Sequence, residues 1–545
     1  MPTNVRHTLL LLLAAAIAVQ FASCRPERSY LTDSSAELAF SSDTVLFDTV
    51  FVSMGTATRQ VKVYNRHEAP LLLDAVTLVG GASSRFRINV DGDTSLVARG
   101  VEIAAHDSMY IFVQANINPN DQLAPFLVED AISFSFNGKE QRLPLMAYGR
   151  NAVYHVPDRV VMATYTNSRG ETDTLRYPYS IIDCSAWDHT LPHVVFGFAV
   201  VNSNTTLSLR EGDELYFGDD AYLWVYDSAT LDVRGSRERP VLFTSLRHDG
   251  RYDSLPGQWG YVWLSAGSHD SHVEWARIEN GTAGLLVDTN VGTNPTLTIS
   301  NSVIENHSFG GIVGQGAYIV GHNLLMDNCG GPLLLLRYGG RYRFGSSTLA
   351  NYWLYGSRNV PSLLINNYYD KYPRPIEEAS FTNCIVYGNH IGADNVGEVG
   401  LQVDETVDFN VSFDHCLLLL PALNADDMSS SGVILNSDPL FRSVAARDYH
   451  LSDKSPARGA GTAAAQASAA DLDGTPWATP PSMGAFEWSE TPQSKKSLKY
   501  FICTATSQAP LPKLRQPTPS STAEALATCS KSASTPILRL RICRQ

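Results

Sequence analysis

Between Arg337 and Arg374 the sequence holds six basic side chains, Arg337, Arg341, Arg343, Arg358, Lys371 and Arg374, against one acid, Asp370. They are interleaved with Tyr338, Tyr342, Tyr352, Trp353, Tyr355, Tyr368 and Tyr369. In a chain of formal net charge −14 this is a local reversal of sign. Aromatic faces stack on sugar rings, and guanidinium forks bind carboxylate or sulfate through two parallel hydrogen bonds. These residues are therefore the candidate contacts for an anionic polysaccharide. A second reading stays open, in which Arg and Tyr stems cover a flank and keep their polar heads in solvent.

Catalysis on such a polymer would need more. Elimination requires a base beside a cation that neutralises the uronate carboxylate, yet Lys371 is the only lysine between Leu191 and His450. Hydrolysis requires paired carboxylates at a defined separation. Asp219-Asp220 reads as a turn, Asp426-Asp427 lies in a Ser-rich loop, and Gly321-His322-Asn323 sits in a repeat turn. The expectation is binding without catalysis, with a polysaccharide lyase and a structural adhesin as alternatives. His269 and His272 flank Asp270, and Asp471 and Asp473 precede Gly474. Both groups read as turns rather than metal sites, a calcium loop needing further ligands at fixed spacing, so no cofactor is expected. The acidic balance argues against nucleic-acid binding, which needs a surplus of Lys and Arg.

The start of the chain carries a different chemistry. Arg6 and His7 precede an apolar run from Leu9 to Val19, followed by Phe21-Ala22-Ser23-Cys24. A basic start, a short apolar stretch and small residues before a cut describe a secretory leader over 1–23. The run is shorter than the ~20 apolar residues needed to span a bilayer. Its end resembles a bacterial lipobox, with Phe21 where Leu is usual. The resemblance implies acylation of Cys24, a membrane partner through the acyl chains and an outer-membrane location, the face being open.

Elements must position all of this. After a linker over 24–35, the stretch 36–150 alternates apolar and polar residues in short runs separated by Gly, Asp and Asn. Strands are expected at Thr44–Phe51, Arg59–Asn65, Phe86–Val90, Met109–Ala115, Ala131–Phe136 and Gln141–Ala147. That density suggests an antiparallel β-sandwich. Val61–Asn65 followed by Glu68-Ala69-Pro70-Leu71 resembles the immunoglobulin-like modules of Bacteroidetes lipoproteins, which implies a spacer. A connecting segment is expected over 151–190.

From Leu191 the strands become short apolar runs, as in Leu223-Trp224-Val225-Tyr226, without helical periodicity between them. Ala276-Arg277-Ile278-Glu279-Asn280 recurs as Ser302–Asn306, Leu324–Asn328 and Ser347–Asn351. A repeat of this length suits one coil of a three-faced parallel β-helix, with the four asparagines stacked as an amide ladder. Trp259-Gly260-Tyr261-Val262-Trp263-Leu264 resembles the coils of right-handed β-helix repeat proteins. Ser437-Asp438-Pro439-Leu440-Phe441 resembles their last coils. Asp471-Leu472-Asp473-Gly474 with Met483-Gly484-Ala485-Phe486-Glu487 resembles the closing segment of choice-of-anchor proteins. The fold expected is all-β, an N-terminal antiparallel β-sandwich followed by a right-handed parallel β-helix over 191–488. The stretch 489–545, rich in Ser, Thr and Pro and with nine basic residues, is expected to be disordered. Cys329, Cys384 and Cys416 are expected as buried thiols.

Overall fold

The computed structural model describes residues 29–490, apart from 53–54, 57, 118–125, 167–171, 248–251, 253, 370–371, 391–396, 421–427 and 464–466. The leader, Cys24, Lys371, Asp426-Asp427 and the stretch past 490 lie outside the described residues. The described chain is all-β, with two single-turn 3-10 segments as its helical content. Among the described residues no helix is long and apolar enough to cross a membrane.

The first module is two sheets. Leu38–Phe40, Arg59–Asn65, Ser108–Ala115 and Phe86–Val90 form an antiparallel four-stranded sheet in that order. Val45–Phe51, Lys139–Arg150, Phe126–Phe136, Leu71–Leu78 and Val97–Ile103 form the second. It is antiparallel except where Val45–Phe51 pairs parallel with Lys139–Arg150. Period-two alternation decides which face is inward: Val61 and Val63 of one sheet join Leu71, Leu73, Phe134 and Leu145 of the other in one buried cluster.

The rest of the chain builds two large sheets of eighteen and ten strands. Apart from the antiparallel first pair of the ten-stranded sheet, their strands pair parallel with the equivalent strand of the next repeat, as in Thr206–Arg210 on Thr230–Arg234 and Tyr222–Val225 on Val262–Leu264. Thr206–Arg210 of the larger sheet alternates in burial, whereas Tyr222–Val225 and Ala283–Val287 of the smaller one are buried throughout. Aliphatic side chains from successive repeats stack inward into one continuous cluster from Ile182 to Met428, which includes Cys329, Cys384 and Cys416.

The segment expected to connect the two parts instead joins the sheets. Val153–His155 pairs with His193–Val195, and the hairpin of Arg159–Thr166 and Thr172–Ile181 continues onto Phe198–Val201. Arg159–Thr166 and Thr172–Ile181 pair antiparallel with each other, and the second strand then continues the parallel sheet. Arg150 binds Glu214 with both terminal nitrogens (2.6 and 3.1 Å), and Phe51 packs edge-on against Tyr216 (4.8 Å).

The amide ladder forms for three of its four expected rungs. Asn306 Nδ2 donates to Asn280 Oδ1 (2.6 Å) and Asn328 Nδ2 to Asn306 Oδ1 (2.7 Å), at spacings of 26 and 22 residues. All three occupy the left-handed region (φ 67, 61 and 49°), which Asn tolerates. Asn351 departs: it turns to Gly331 O (3.0 Å) and accepts from Cys329 N (3.0 Å). A long excursion after Asn351 replaces the tight turn there, so the next rung has no stacking position.

Candidate functional site

Where the ten-stranded sheet passes into the larger one, successive repeats turn through Thr289–Asn290, Gly316–Ala317, Tyr338–Gly340 and Arg374–Pro375. These turns and the strand starts that follow them enclose a cleft of about 200 Å³, also lined by Tyr318, Arg341 and Glu377. Gly316 forms part of its lining with φ +63°, and a Cβ there would meet Thr289 Oγ1 (3.1 Å), Arg374 Nη1 (3.2 Å) and Tyr338 O (3.2 Å). Only glycine satisfies both the backbone and the approach of those groups. Tyr338 also lies in the left-handed region (φ 64°), held by Asn366 Oδ1, which accepts from its backbone N–H (3.1 Å).

The cations of the cleft differ in how they are engaged. Arg341 Nη2 donates to Glu377 Oε2 (2.5 Å), and Arg343 forks onto Glu378 (2.8 and 2.7 Å). These hydrogen bonds raise both guanidinium pKa values, fixing the protonated form. Both arginines lie over the Tyr318 ring, at 5.0 and 5.8 Å, and Arg343 donates to its hydroxyl (3.2 Å). Tyr318 is thereby covered. Arg374 is exposed, and its guanidinium has one contact among the described residues, Nη1 to Thr289 Oγ1 at 3.4 Å. Its backbone is fixed by donation to Asn367 O (2.7 Å).

A polar column runs beside the cleft on the outer side of the ten-stranded sheet. Trp263 Nε1 and Gln315 Nε2 donate to Asp288 (2.8 and 2.9 Å), and Arg337 donates twice to Gln315 Oε1 (3.1 and 2.6 Å). Burial pushes the Asp288 carboxyl up and the Arg337 guanidinium down. Arg337 also lies over the Tyr338 ring (4.9 Å), which meets Tyr369 edge-on (4.9 Å).

The strip of Arg and aromatic residues expected on one wall is divided among separate places. Tyr338 and Arg341 line the cleft, with Arg337 and Arg343 beside it. Tyr368 and Tyr369 form a small antiparallel pair with Tyr372 and Pro373. Tyr342 points inward and is fully buried, its hydroxyl donating to Gly339 O (2.8 Å) and accepting from Ala317 N (3.3 Å). Alternation along Gly340–Gly345 forces this: with Arg341 and Arg343 outward, Tyr342 must face the core. Arg358 is also buried, bound by both terminal nitrogens to Glu398 (2.8 and 2.5 Å). Tyr352 stacks on Tyr449 (6.3 Å), while Trp353 and Tyr355 pack together (5.2 Å) in a loop where Leu354 N donates to Asn328 Oδ1 (3.1 Å).

Residue types alone did not reveal Thr289, Gly316, Tyr318, Glu377 and Glu378. The acids stand three and four residues past Arg374, outside the basic window, and strand register brings Glu378 opposite Arg341. The local reversal of charge is thus largely cancelled in space. Of the other polar groups read as turns, His272 lies in the strand Ser271–Glu274 and Gly321-His322-Asn323 in the strand Tyr318–Asp327, while the other described ones sit in turns or loops. Asp471 accepts from the backbone of Asp473, Thr475 and Glu487 (3.0, 2.7 and 2.8 Å), and His269 pairs with Asp270 (2.9 Å). Asp220 lies in a turn with φ 52°. Among the described residues no group of three or more His, Cys, Asp or Glu is placed to hold a metal ion.

No protein-family profile matches the chain, and no curated protein matches it. Similar solved structures include a family 123 glycoside hydrolase from Clostridium perfringens (8% identity, 26% of this chain and 43% of that one, TM-score 0.15). Others are the VesB protease of Vibrio cholerae (11% identity, 21% and 31%, TM-score 0.15) and a PapD-like domain of human CEP192 (8% identity, 23% and 94%, TM-score 0.15). The chain spans less than half the length of the first two. Likeness at this level carries no argument about fold or activity.

Proposed function

We propose that this chain is an exported lipoprotein, acylated at Cys24 and held at the outer membrane. In this reading an immunoglobulin-like sandwich carries a right-handed parallel β-helix that binds a carbohydrate polymer without cleaving it. Consecutive parallel pairing at intervals of one repeat supports the β-helix, and the shared core of the two N-terminal sheets supports the sandwich. The observation that carries the function is the corner cleft, where Tyr338, the exposed Arg374 fork and the Arg341–Glu377 pair converge. An aromatic ring beside paired donors and acceptors is the chemistry that engages a sugar ring and its hydroxyls.

Binding is favoured over elimination by the state of Arg341, Arg343 and Tyr342. A base must be able to accept a proton, and Glu377 and Glu378 hold Arg341 and Arg343 protonated. Tyr342 is enclosed in the core, and burial raises its pKa. The test is electrophoresis of the full chain through gels containing plant, algal and bacterial polysaccharides. At least one polymer should retard it, Tyr338→Ala should lower that affinity about tenfold, and no ultraviolet absorbance from unsaturated ends should develop. Retardation by none of the polymers, or growth of that absorbance, would overturn the proposal.

A further inference from the structure

We infer that the corner cleft selects one sugar ring bearing a single monoanionic oxyanion, a carboxylate or a sulfate monoester, and that Arg374 is the selecting residue. The inference rests on the carbohydrate-binding reading and narrows it from a carbohydrate polymer to a ring bearing one charged group. Volume sets the first limit. About 200 Å³ lies below the roughly 300–1,000 Å³ of pockets that enclose larger ligands. It suits a ring with its substituent rather than a run of polymer.

Charge sets the second limit. Of the two arginines lining the cleft, Arg341 is neutralised by Glu377 at 2.5 Å. Arg374 meets a neutral hydroxyl at 3.4 Å, and among the described residues no carboxylate pairs with it. Among the described residues, then, one guanidinium of the lining has no carboxylate partner. It can offer a planar oxyanion two parallel N–H donors, and the contact it would surrender to Thr289 is long and weak. The Glu377 carboxylate in the same lining disfavours a second negative charge, so a phosphate monoester, largely dianionic near neutral pH, fits less well. Gly316 keeps the approach to Arg374 clear, since a side chain there would sit 3.2 Å from its Nη1.

Calorimetric titration of the full chain with four rings tests this: methyl glucoside, methyl glucuronide, glucose 6-sulfate and glucose 6-phosphate. The glucuronide or the sulfate, or both, should bind at least about tenfold more tightly than methyl glucoside and than the phosphate. Which of the two leads identifies the oxyanion. Arg374→Met should abolish that preference, Arg374→Lys should restore part of it, and neither exposed substitution should shift the melting temperature. Equal affinity for all four rings, tightest binding of the phosphate, or a preference that survives Arg374→Met would overturn the inference. If Tyr338-dependent retardation by a polysaccharide persists in any of those cases, carbohydrate binding stands and only the selection by Arg374 falls. If neither polymer nor ring binds, the functional reading itself has failed.

Discussion

Arg358 shows how far a charged residue's role depends on a partner that sequence does not announce. It reads as one more cation of a basic strip, yet its guanidinium is 1% exposed and its partner Glu398, at 0%, stands 40 residues on. Arg358 also donates to Val360 O (2.6 Å) and Asn351 O (3.0 Å), tying down the loop after Asn351. Glu398 accepts from Ser362 N (2.9 Å), Ser362 Oγ (2.5 Å) and His390 N (2.8 Å). A buried ion pair adds little net stability, because desolvation offsets the attraction, but removing one partner strands a charge at about 3–5 kcal/mol. Arg358→Met should therefore destabilise the body by about that amount in urea unfolding. Arg358→Met with Glu398→Leu should recover at least half of the loss. Equal stability of the single variant and the parent would show that the pair is not closed in solution.

At the scale of elements, the closing segment after Asp438 acts as a strap along the outer side of the larger sheet. Arg447 reaches Glu305 and Asp327 (2.6 Å to the latter), carboxylates that strand register places on adjacent repeats. Ala485 N donates to Thr348 Oγ1 (2.9 Å) and Gly484 N to Asn383 O (2.7 Å). Within the strap, His450 bridges Asp448 (2.5 Å) and Asp473 (2.7 Å). Burial alone would lower its pKa, but hydrogen bonds to Asp473 and Asp448 and their charges outweigh that and raise it. A folded pKa above the unfolded value gives stability that is complete below the unfolded pKa of about 6.5. It is lost as pH rises through the folded value. Hydrogen exchange at 448–452 and 471–474 should quicken from pH 6 to pH 9 by more than the intrinsic chemical rate. His450→Gln should remove that excess; an unchanged excess would assign it to another group.

Much of this level was legible beforehand. The strands of the first module show period-two alternation, and the repeat fixed three ladder asparagines through their spacing. The strap was not legible as a packed element, because it is defined by partners far along the chain. The cleft was half legible for the same reason: its Arg and Tyr residues stand out by type, while Gly316, Glu377 and Thr289 acquire meaning only once register brings the turns together.

For the whole molecule, the continuous inward cluster means that each repeat is stable only against its neighbours, so the body should unfold as a unit or in a few large blocks. Two histidines of the body, the buried His307 and the partly buried His155, contribute to an acid limit. Burial holds His307 and His155 down at about 4, and the His193 imidazole adds to this for His155. His307 accepts from Gly281 N at Nδ1 (3.1 Å) and donates from Nε2 to Ile278 O (3.2 Å), an arrangement that requires the neutral ring. Because the folded pKa values lie below the unfolded one, the unfolded chain binds the extra protons. Stability is then complete above about pH 6.5 and is lost as pH falls toward 4, on the order of 3 kcal/mol for each ring. Burial raises the Asp327 and Asp471 carboxyls to about 6, and these work the other way, gaining stability as pH falls, so the net loss is smaller than the two rings alone would give. All eight tryptophans, from Trp187 to Trp488, lie beyond residue 150, so tryptophan emission reports on the body and its closing strap. The first module contains His67 and His106, neither of them buried. Lowering the pH from 7 to 4 should shift tryptophan emission to the red in a step whose midpoint depends on these two rings. His155→Phe should move that midpoint to lower pH. A midpoint left unchanged by His155→Phe would mean that this ring is solvated in the folded protein.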